Sequence, residues 1–211
     1  MKIKLGQHVS AVGMTGAGKT FFVKNSLLPA WDRIIVVDTE EYDFNEFPKV
    51  SVKAALKLAK SNYRFAVRVV LSGDRSMDAE PLRELCMGLL TEGHDLVIYF
   101  DEVTDFADAN QIPPPMRSLI RKGRKRRLNV IVGTQRVAML SKDYFANCVH
   151  RFYFFVEDAN TPTVKMYAPW LEARVGEIPH ESYTCFYQYA GNVQKLGPAV
   201  EYDWKERLKH K

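Results

Sequence analysis

Short runs of branched and aromatic residues alternate along this chain with stretches whose apolar positions recur every three or four residues. The runs are His8–Val12 (HVSAV), Arg33–Val37 (RIIVV), Phe65–Leu71 (FAVRVVL), Leu96–Phe100 (LVIYF), Leu128–Val132 (LNVIV) and Phe152–Val156 (FYFFV). Continuous apolar runs of this length predict strands buried on both faces. Between them, a helix is expected over about Lys19–Leu28, stopped by Pro29. Ser51 can cap a second, with Val52, Ala55, Leu56 and Ala59 on one face. Asp78 is the expected cap of a third, with Pro81 in its first turn and Leu82, Leu85, Cys86 and Leu89 on one stripe. A polar, proline-rich loop follows over Val103–Pro115. Met116, Leu119 and Ile120 then predict a short helix that Gly123 can end. From Tyr183, the pattern YTCFYQYAGNVQKL predicts two strands around Ala190-Gly191-Asn192. The last residues, KERLKHK, read as a frayed tail.

Strands that alternate with helices require crossover connections. The expected fold is therefore α/β: a mostly parallel central sheet with helices on both faces, plus a C-terminal β-hairpin. The 211 residues fit a single domain over 1–211, with a core over about 7–156 and a C-terminal extension over about 157–211. In such folds ligands sit beyond the carboxyl ends of the strands.

Composition narrows the class. Hydrophobic residues make up 46% and charged residues 26%, as in globular proteins. No uncharged apolar stretch approaches the ~18 residues of a membrane span. The N-terminus runs straight into the first strand, which leaves no room for a cleaved signal peptide. The three cysteines (Cys86, Cys148, Cys185) lack CxxC spacing, and the five histidines lack metal-ligand spacing. Secreted, membrane-spanning and fibrous classes are thereby disfavoured, and an intracellular compartment is expected. Formal net charge is +5, yet seven basic residues and no acidic ones fall within Arg117–Arg127 (RSLIRKGRKRR). Without that segment the remaining 23 basic and 25 acidic residues give −2. The basic character is one local feature. It suits a polyanion or a solvated helix end, and charge alone does not choose between them.

Three motifs carry chemistry. The first is GMTGAGKT: Gly13, Met14, Thr15, Gly16, Ala17, Gly18, Lys19 and Thr20. It fits the GxxxxGK[ST] phosphate-binding loop and lies between an expected strand and an expected helix. Its glycines let the backbone turn and approach phosphate, and successive N–H groups form an anion-binding concavity. Lys19 would reach the β- and γ-phosphates of ATP or another nucleoside triphosphate, and Thr20 would ligate Mg²⁺. The second is LVIYFDE, Leu96–Glu102, an apolar strand that ends in two acids. Asp101 would hold the Mg²⁺, and Glu102 could polarise a water for in-line attack. The third is LNVIVGTQR, Leu128–Arg136. If its strand neighbours the one before Asp101, Gln135 faces the γ-phosphate and its attacking water, where an amide can both donate and accept. Arg136 is left open: phosphate, an acid partner or solvent would each suit it.

Together, GMTGAGKT, RIIVVDTEEYDF with its acid-Glu-Tyr ending, LVIYFDE, RKGR at Arg121–Arg124, and VGTQR resemble the HerA/FtsK superfamily of ring-forming, DNA-pumping ATPases. The resemblance covers about residues 7–156. It departs at Val137, where the family usually has a proline that does no chemistry. Among family members, a minimal ATPase core without an N-terminal barrel or membrane spans is similar to the genome-packaging NTPases of double-jelly-roll viruses, including the archaeal turreted icosahedral viruses of Sulfolobus. The resemblance implies a RecA-like P-loop fold and a homo-oligomeric ring, pentamer or hexamer, with nucleotide at the subunit interface. It also implies an arginine donated in trans, for which Arg124 and Arg121 are the candidates. Lys125, Arg126 and Arg127 are then the expected contacts to double-stranded DNA, and the Val103–Pro115 loop is placed to face the channel. Viral capsid proteins are implied partners. The implied location is the procapsid vertex, in the cytoplasm of the infected host cell.

A small-molecule or nucleotide kinase is the alternative from another class, with residues 117–127 as an arginine-rich lid. Glu102 and Gln135 weigh against it. A nucleotide switch gains nothing from a base such as Glu102, and no NKxD guanine-reading motif is present.

Overall fold

The computed structural model describes residues 3–39, 42–107, 112–140 and 142–209. An eight-stranded sheet forms its centre, built from β1 (His8–Val12), β2 (Arg33–Asp38), β3 (Phe65–Val70), β4 (Val97–Phe100), β5 (Asn129–Thr134), β6 (Cys148–Tyr153), β7 (Cys185–Tyr189) and β8 (Asn192–Leu196). The spatial order is β3-β2-β4-β5-β1-β6-β7-β8. β1 to β6 pair in parallel; β7 and β8 are antiparallel additions at one edge. The expected hairpin is present, with Ala190 and Gly191 both at positive φ in its two-residue turn. It is not a separate appendage: β7 pairs with β6, so the extension continues the central sheet.

The buried strands sort their side chains by period two. Ile35, Val37, Val67, Val69, Ile98, Phe100, Val130 and Val132 face α2 (Val52–Lys60), α3 (Arg75–Glu92) and α4 (Pro114–Lys122). Ile34, Val36, Ala66, Val97, Tyr99 and Ile131 face the other side, covered by Phe22 and Leu27, by Phe44 and Phe47, and by Trp204. Both faces are sealed, which is why these strands read as unbroken apolar runs.

Several boundaries differ from the sequence reading. The helix after the phosphate loop is regular only over Lys19–Phe22 (α1) and then widens into a π-turn at Val23–Leu27; Pro29 sits inside a final 3₁₀ turn. The cap of α3 is Asp74, which accepts from the N–H groups of Ser76 and Met77. Asp78 is instead buried one turn in and accepts from Ser72 and Gly73, and Pro81 lies inside the helix. A cap competes with any acid within a turn of it, and here local turn geometry selects the earlier one. β6 begins four residues before the aromatic run: Cys148 to His150 pair with β1, while Phe154 and Phe155 lie beyond the strand. Of the expected frayed tail, residues 205–209 belong to a helix over Trp204–Lys209 (α8), and residues 210–211 lie outside the described residues. Trp204 is 2% exposed and meets Phe47 edge-on, and Arg207 donates to the carbonyls of Pro29 and Trp31. Shorter helices at Lys142–Asn147 (α5), Pro162–Tyr167 (α6) and Leu171–Arg174 (α7) were not legible as periodic stretches. Glu40 and Glu41 of the acid-Glu-Tyr ending, and residues 108–111 of the proline-rich loop, lie outside the described residues.

Candidate nucleotide site

The carboxyl ends of β1, β4 and β5 open into a cleft of about 240 Å³ lined by Thr15, Gly16, Gly18, Lys19, Thr20, Asp101, Glu102 and Gln135, with Phe21, Thr39, Asp43 and Tyr183. All three motifs therefore meet at one place. The reason is the strand order: β5 lies between β4 and β1, so the residue after β5 sits between the acids and the phosphate loop.

The loop is braced from both sides. Gly13 N–H donates to the Thr134 carbonyl at 3.1 Å, and Met14 N–H to the Phe155 carbonyl at 2.8 Å. A Cβ on Gly13 would stand 2.4 Å from Phe154 Cβ, so this glycine answers a close approach. Gly16 and Gly18 adopt φ of 80° and 91°, which L side chains rarely tolerate. Lys19 is 8% exposed, and its Nζ lies 3.4 Å from the Met14 carbonyl, which it can donate to.

Thr20 Oγ1 donates to Asp101 Oδ1 at 2.9 Å, and Tyr99 also donates its hydroxyl to Asp101. Burial raises the Asp101 carboxyl to about 6 despite those two hydrogen bonds. A hydroxyl and a carboxylate in contact are hard oxygen donors of the type Mg²⁺ requires, and a dication would offset the burial of the acid. The pair thus fits the metal. Glu102 is half-buried. Burial also raises its carboxyl, opposed by Thr104, which donates its hydroxyl to Glu102 Oε1 at 2.5 Å. The turn after Glu102 is itself clamped: Arg75 donates to the carbonyls of Thr104, Asp105 and Ala107, and Thr39 donates to Asp105. Gln135 and Arg136 are exposed, Gln135 at the cleft.

The basic residues lie elsewhere. Gly123–Arg126 form a 3₁₀ turn that enters β5 at its amino end. The length of β5, roughly 20 Å, therefore separates them from Gln135 at its carboxyl end. Arg121, Arg124 and Lys125 are exposed. Arg124 donates to the Asn147 carbonyl at 3.1 Å, and Arg127 pairs with Asp95 at 2.7 Å. Residues 121–127 of the expected 117–127 lid are thus a strand's length away from their own cleft, which weakens the kinase alternative. Among the described residues no group of histidine, cysteine and acidic side chains could form a metal cluster, and no helix is long and apolar enough to cross a membrane.

The chain is 16% identical to the genome-packaging NTPase B204 of Sulfolobus turreted icosahedral virus 2, solved in complex with AMPPCP. That match has a TM-score of 0.75 and covers 92% of this chain and 98% of that one. The fold is that of a packaging NTPase. It extends to the conjugation coupling protein TcpA of pCW3, solved with ATPγS, at 15% identity and a TM-score of 0.67, over 100% of this chain and 67% of that one. In sequence, the chain is 29% identical over 147 residues to Protein P9 of Pseudoalteromonas phage PM2, which is 69% of this chain and 66% of P9, just under two thirds of that protein's length. No family model matches the chain. The mostly parallel α/β sheet with an added C-terminal hairpin, expected from the sequence, is therefore the fold observed.

Sequence reasoning missed Tyr99, Thr104, Thr39, Asp43 and Tyr183. Tyr99 and Thr104 lie within two residues of the acids and could have been weighed as their partners. Tyr183 carries no signal, because only tertiary folding brings it to the loop.

Proposed function

We propose that this chain is an oligomeric, Mg²⁺-dependent ATPase that translocates double-stranded DNA into a viral capsid. The observation that carries this reading is the convergence of Lys19, Thr20, Asp101, Glu102 and Gln135 on one cleft. Lys19 and the loop's N–H groups would hold the β- and γ-phosphates. Thr20 and Asp101 would hold the Mg²⁺, which neutralises charge on those phosphates. Glu102 would take the proton of the attacking water, and its raised pKa suits a base that works near neutral pH. Gln135 would orient that water. Likeness to B204 and to P9 supports the assignment to genome packaging, with DNA, capsid proteins and further copies of the chain, as a pentamer or hexamer, as partners. The place of action would be the procapsid vertex in the infected cell.

Steady-state ATP hydrolysis of the wild type and Glu102→Gln, with and without double-stranded DNA at two salt concentrations, tests this. Turnover should fall by about 10²–10⁴ in the variant while nucleotide binding persists. Wild-type turnover should rise with DNA. Turnover that survives Glu102→Gln defeats the assigned base; a loss with no response to DNA leaves an ATPase with a different load.

A further inference from the structure

The phosphate loop accounts for only one end of a nucleotide. On the reading proposed above, the triphosphate would lie between Lys19 and the group of Glu102 and Gln135, and the nucleoside would leave the cleft past the start of α1. Two aromatic side chains line the cleft there, and both are unusually exposed. Phe21 is 43% exposed on the first turn of α1, and Tyr183 is 49% exposed. Tyr183 comes from a turn just before β7, more than 160 residues further along the chain.

That turn is built against the loop. His180 Nε2 contacts the Thr15 carbonyl at 2.8 Å, and the His180 ring meets Phe155 edge-on at 5.5 Å. Ser182 Oγ donates to the Pro179 carbonyl at 2.6 Å and contacts Thr184 Oγ1 at 2.7 Å. The Tyr183 ring lies so near the backbone of Gly18 that a Cβ there would stand 2.6 Å from its Cδ1. Tyr183 also holds a left-handed backbone, φ 51° and ψ 24°, unfavourable for an aromatic L residue. A strained backbone that presents a half-exposed ring at a cleft is an outlier of the kind that clusters at ligand sites.

We propose that Tyr183, flanked by Phe21, is the platform on which the nucleobase of the bound triphosphate stacks. This rests on the reading of the cleft as a nucleotide site and adds how the base is recognised. A π-face attracts any base and does not read its hydrogen-bonding edge. Such a platform takes adenine and guanine triphosphates with little preference between them, consistent with the lack of an NKxD motif.

Calorimetric binding of ATP, GTP and inorganic tripolyphosphate, each with Mg²⁺, tests the proposal on the full chain and on Tyr183→Phe, Tyr183→Leu and Tyr183→Ala. Leu keeps bulk without a π-face. Tyr183→Ala and Tyr183→Leu should weaken ATP and GTP alike, by about 5- to 150-fold, and leave tripolyphosphate within about twofold. Tyr183→Phe should match the wild type. Equal weakening of tripolyphosphate would mean that Tyr183 only supports the loop, and no weakening of ATP would mean that the base lies elsewhere; either result overturns the platform. Wild type that binds ATP no better than tripolyphosphate overturns it too, but leaves the phosphate site standing. Wild type that binds none of the three overturns the nucleotide reading itself.

Discussion

The two ends of the parallel strands differ in how complete they are. At the carboxyl edge, the candidate groups are held within the chain: Thr20 and Tyr99 on Asp101, Thr104 on Glu102, and Thr134 and Phe155 on the phosphate loop. At the amino edge, Arg121, Arg124 and Lys125 are exposed roughly 20 Å of strand away from that chemistry. One edge is preorganised in a single copy. The other can meet a nucleotide only on another copy, or a polyanion. Nucleotide binding should accordingly belong to the monomer, and hydrolysis to the assembly.

The largest expected effect tests that division directly. Arg124→Ala should lower assembly-dependent hydrolysis by about 10³–10⁵ and leave nucleotide affinity unchanged. Mixed with Glu102→Gln, it should recover activity, because an intact cleft then meets an intact arginine from its neighbour. Turnover assayed across mixing ratios decides; no recovery at any ratio would place the arginine's role in its own subunit or in DNA binding, and Arg121→Ala serves as the parallel case.

A smaller effect concerns how the amino half of the sheet is held. His8 Nε2 bonds the Ile120 carbonyl at 2.7 Å, and its Nδ1 accepts from Val130 N–H at 3.0 Å, which fixes a neutral ring. Burial lowers both His8 and His150 to about 4. As pH falls from about 6.5, the unfolded chain binds protons at these positions before the native one does. Stability should be full above 6.5 and lost towards pH 4, with a slope of about two protons. Urea melts across that window in an Asp101→Asn, Glu102→Gln background check it, since those carboxyls, raised by burial, contribute with the opposite sign. A flat profile would mean that the rings are already protonated in the native fold.

The smallest effect concerns DNA. If the proposed translocation holds, Lys125→Ala should reduce the salt slope of binding by about one and leave sequence preference absent, because contacts that pass any sequence go to phosphate. Arg127→Ala should do less, as its guanidinium is already paired with Asp95. Filter binding over a salt series on two unrelated duplexes measures both; a strong preference for one duplex would contradict phosphate-only contact.

The cleft was legible in the chain because its chemistry is local. GMTGAGKT, the Asp101-Glu102 pair and Thr134-Gln135 each follow directly on an apolar run, and a parallel sheet gathers strand ends on one edge. The elements that went astray depend on distant partners. KERLKHK has too little apolar surface to predict order, yet Trp204 and Arg207 dock on Phe47 and on the Pro29 and Trp31 carbonyls. The cap of α3 fell on Asp74 because Asp78 is drawn into the turn at Ser72 and Gly73.

The amino-acid sequence alone determined the class of fold, the phosphate loop and the acids and amide that face it, since periodicity and short-range spacing encode them. Tertiary structure decided what depends on contacts across the chain. It set β5 between β4 and β1, so that Gln135 joins the cleft. It sent the arginines to the far edge, out of reach of their own site. It also folded residues 180–183 back onto the phosphate loop, where burial and backbone approach, not any motif, put Tyr183 beside Gly18.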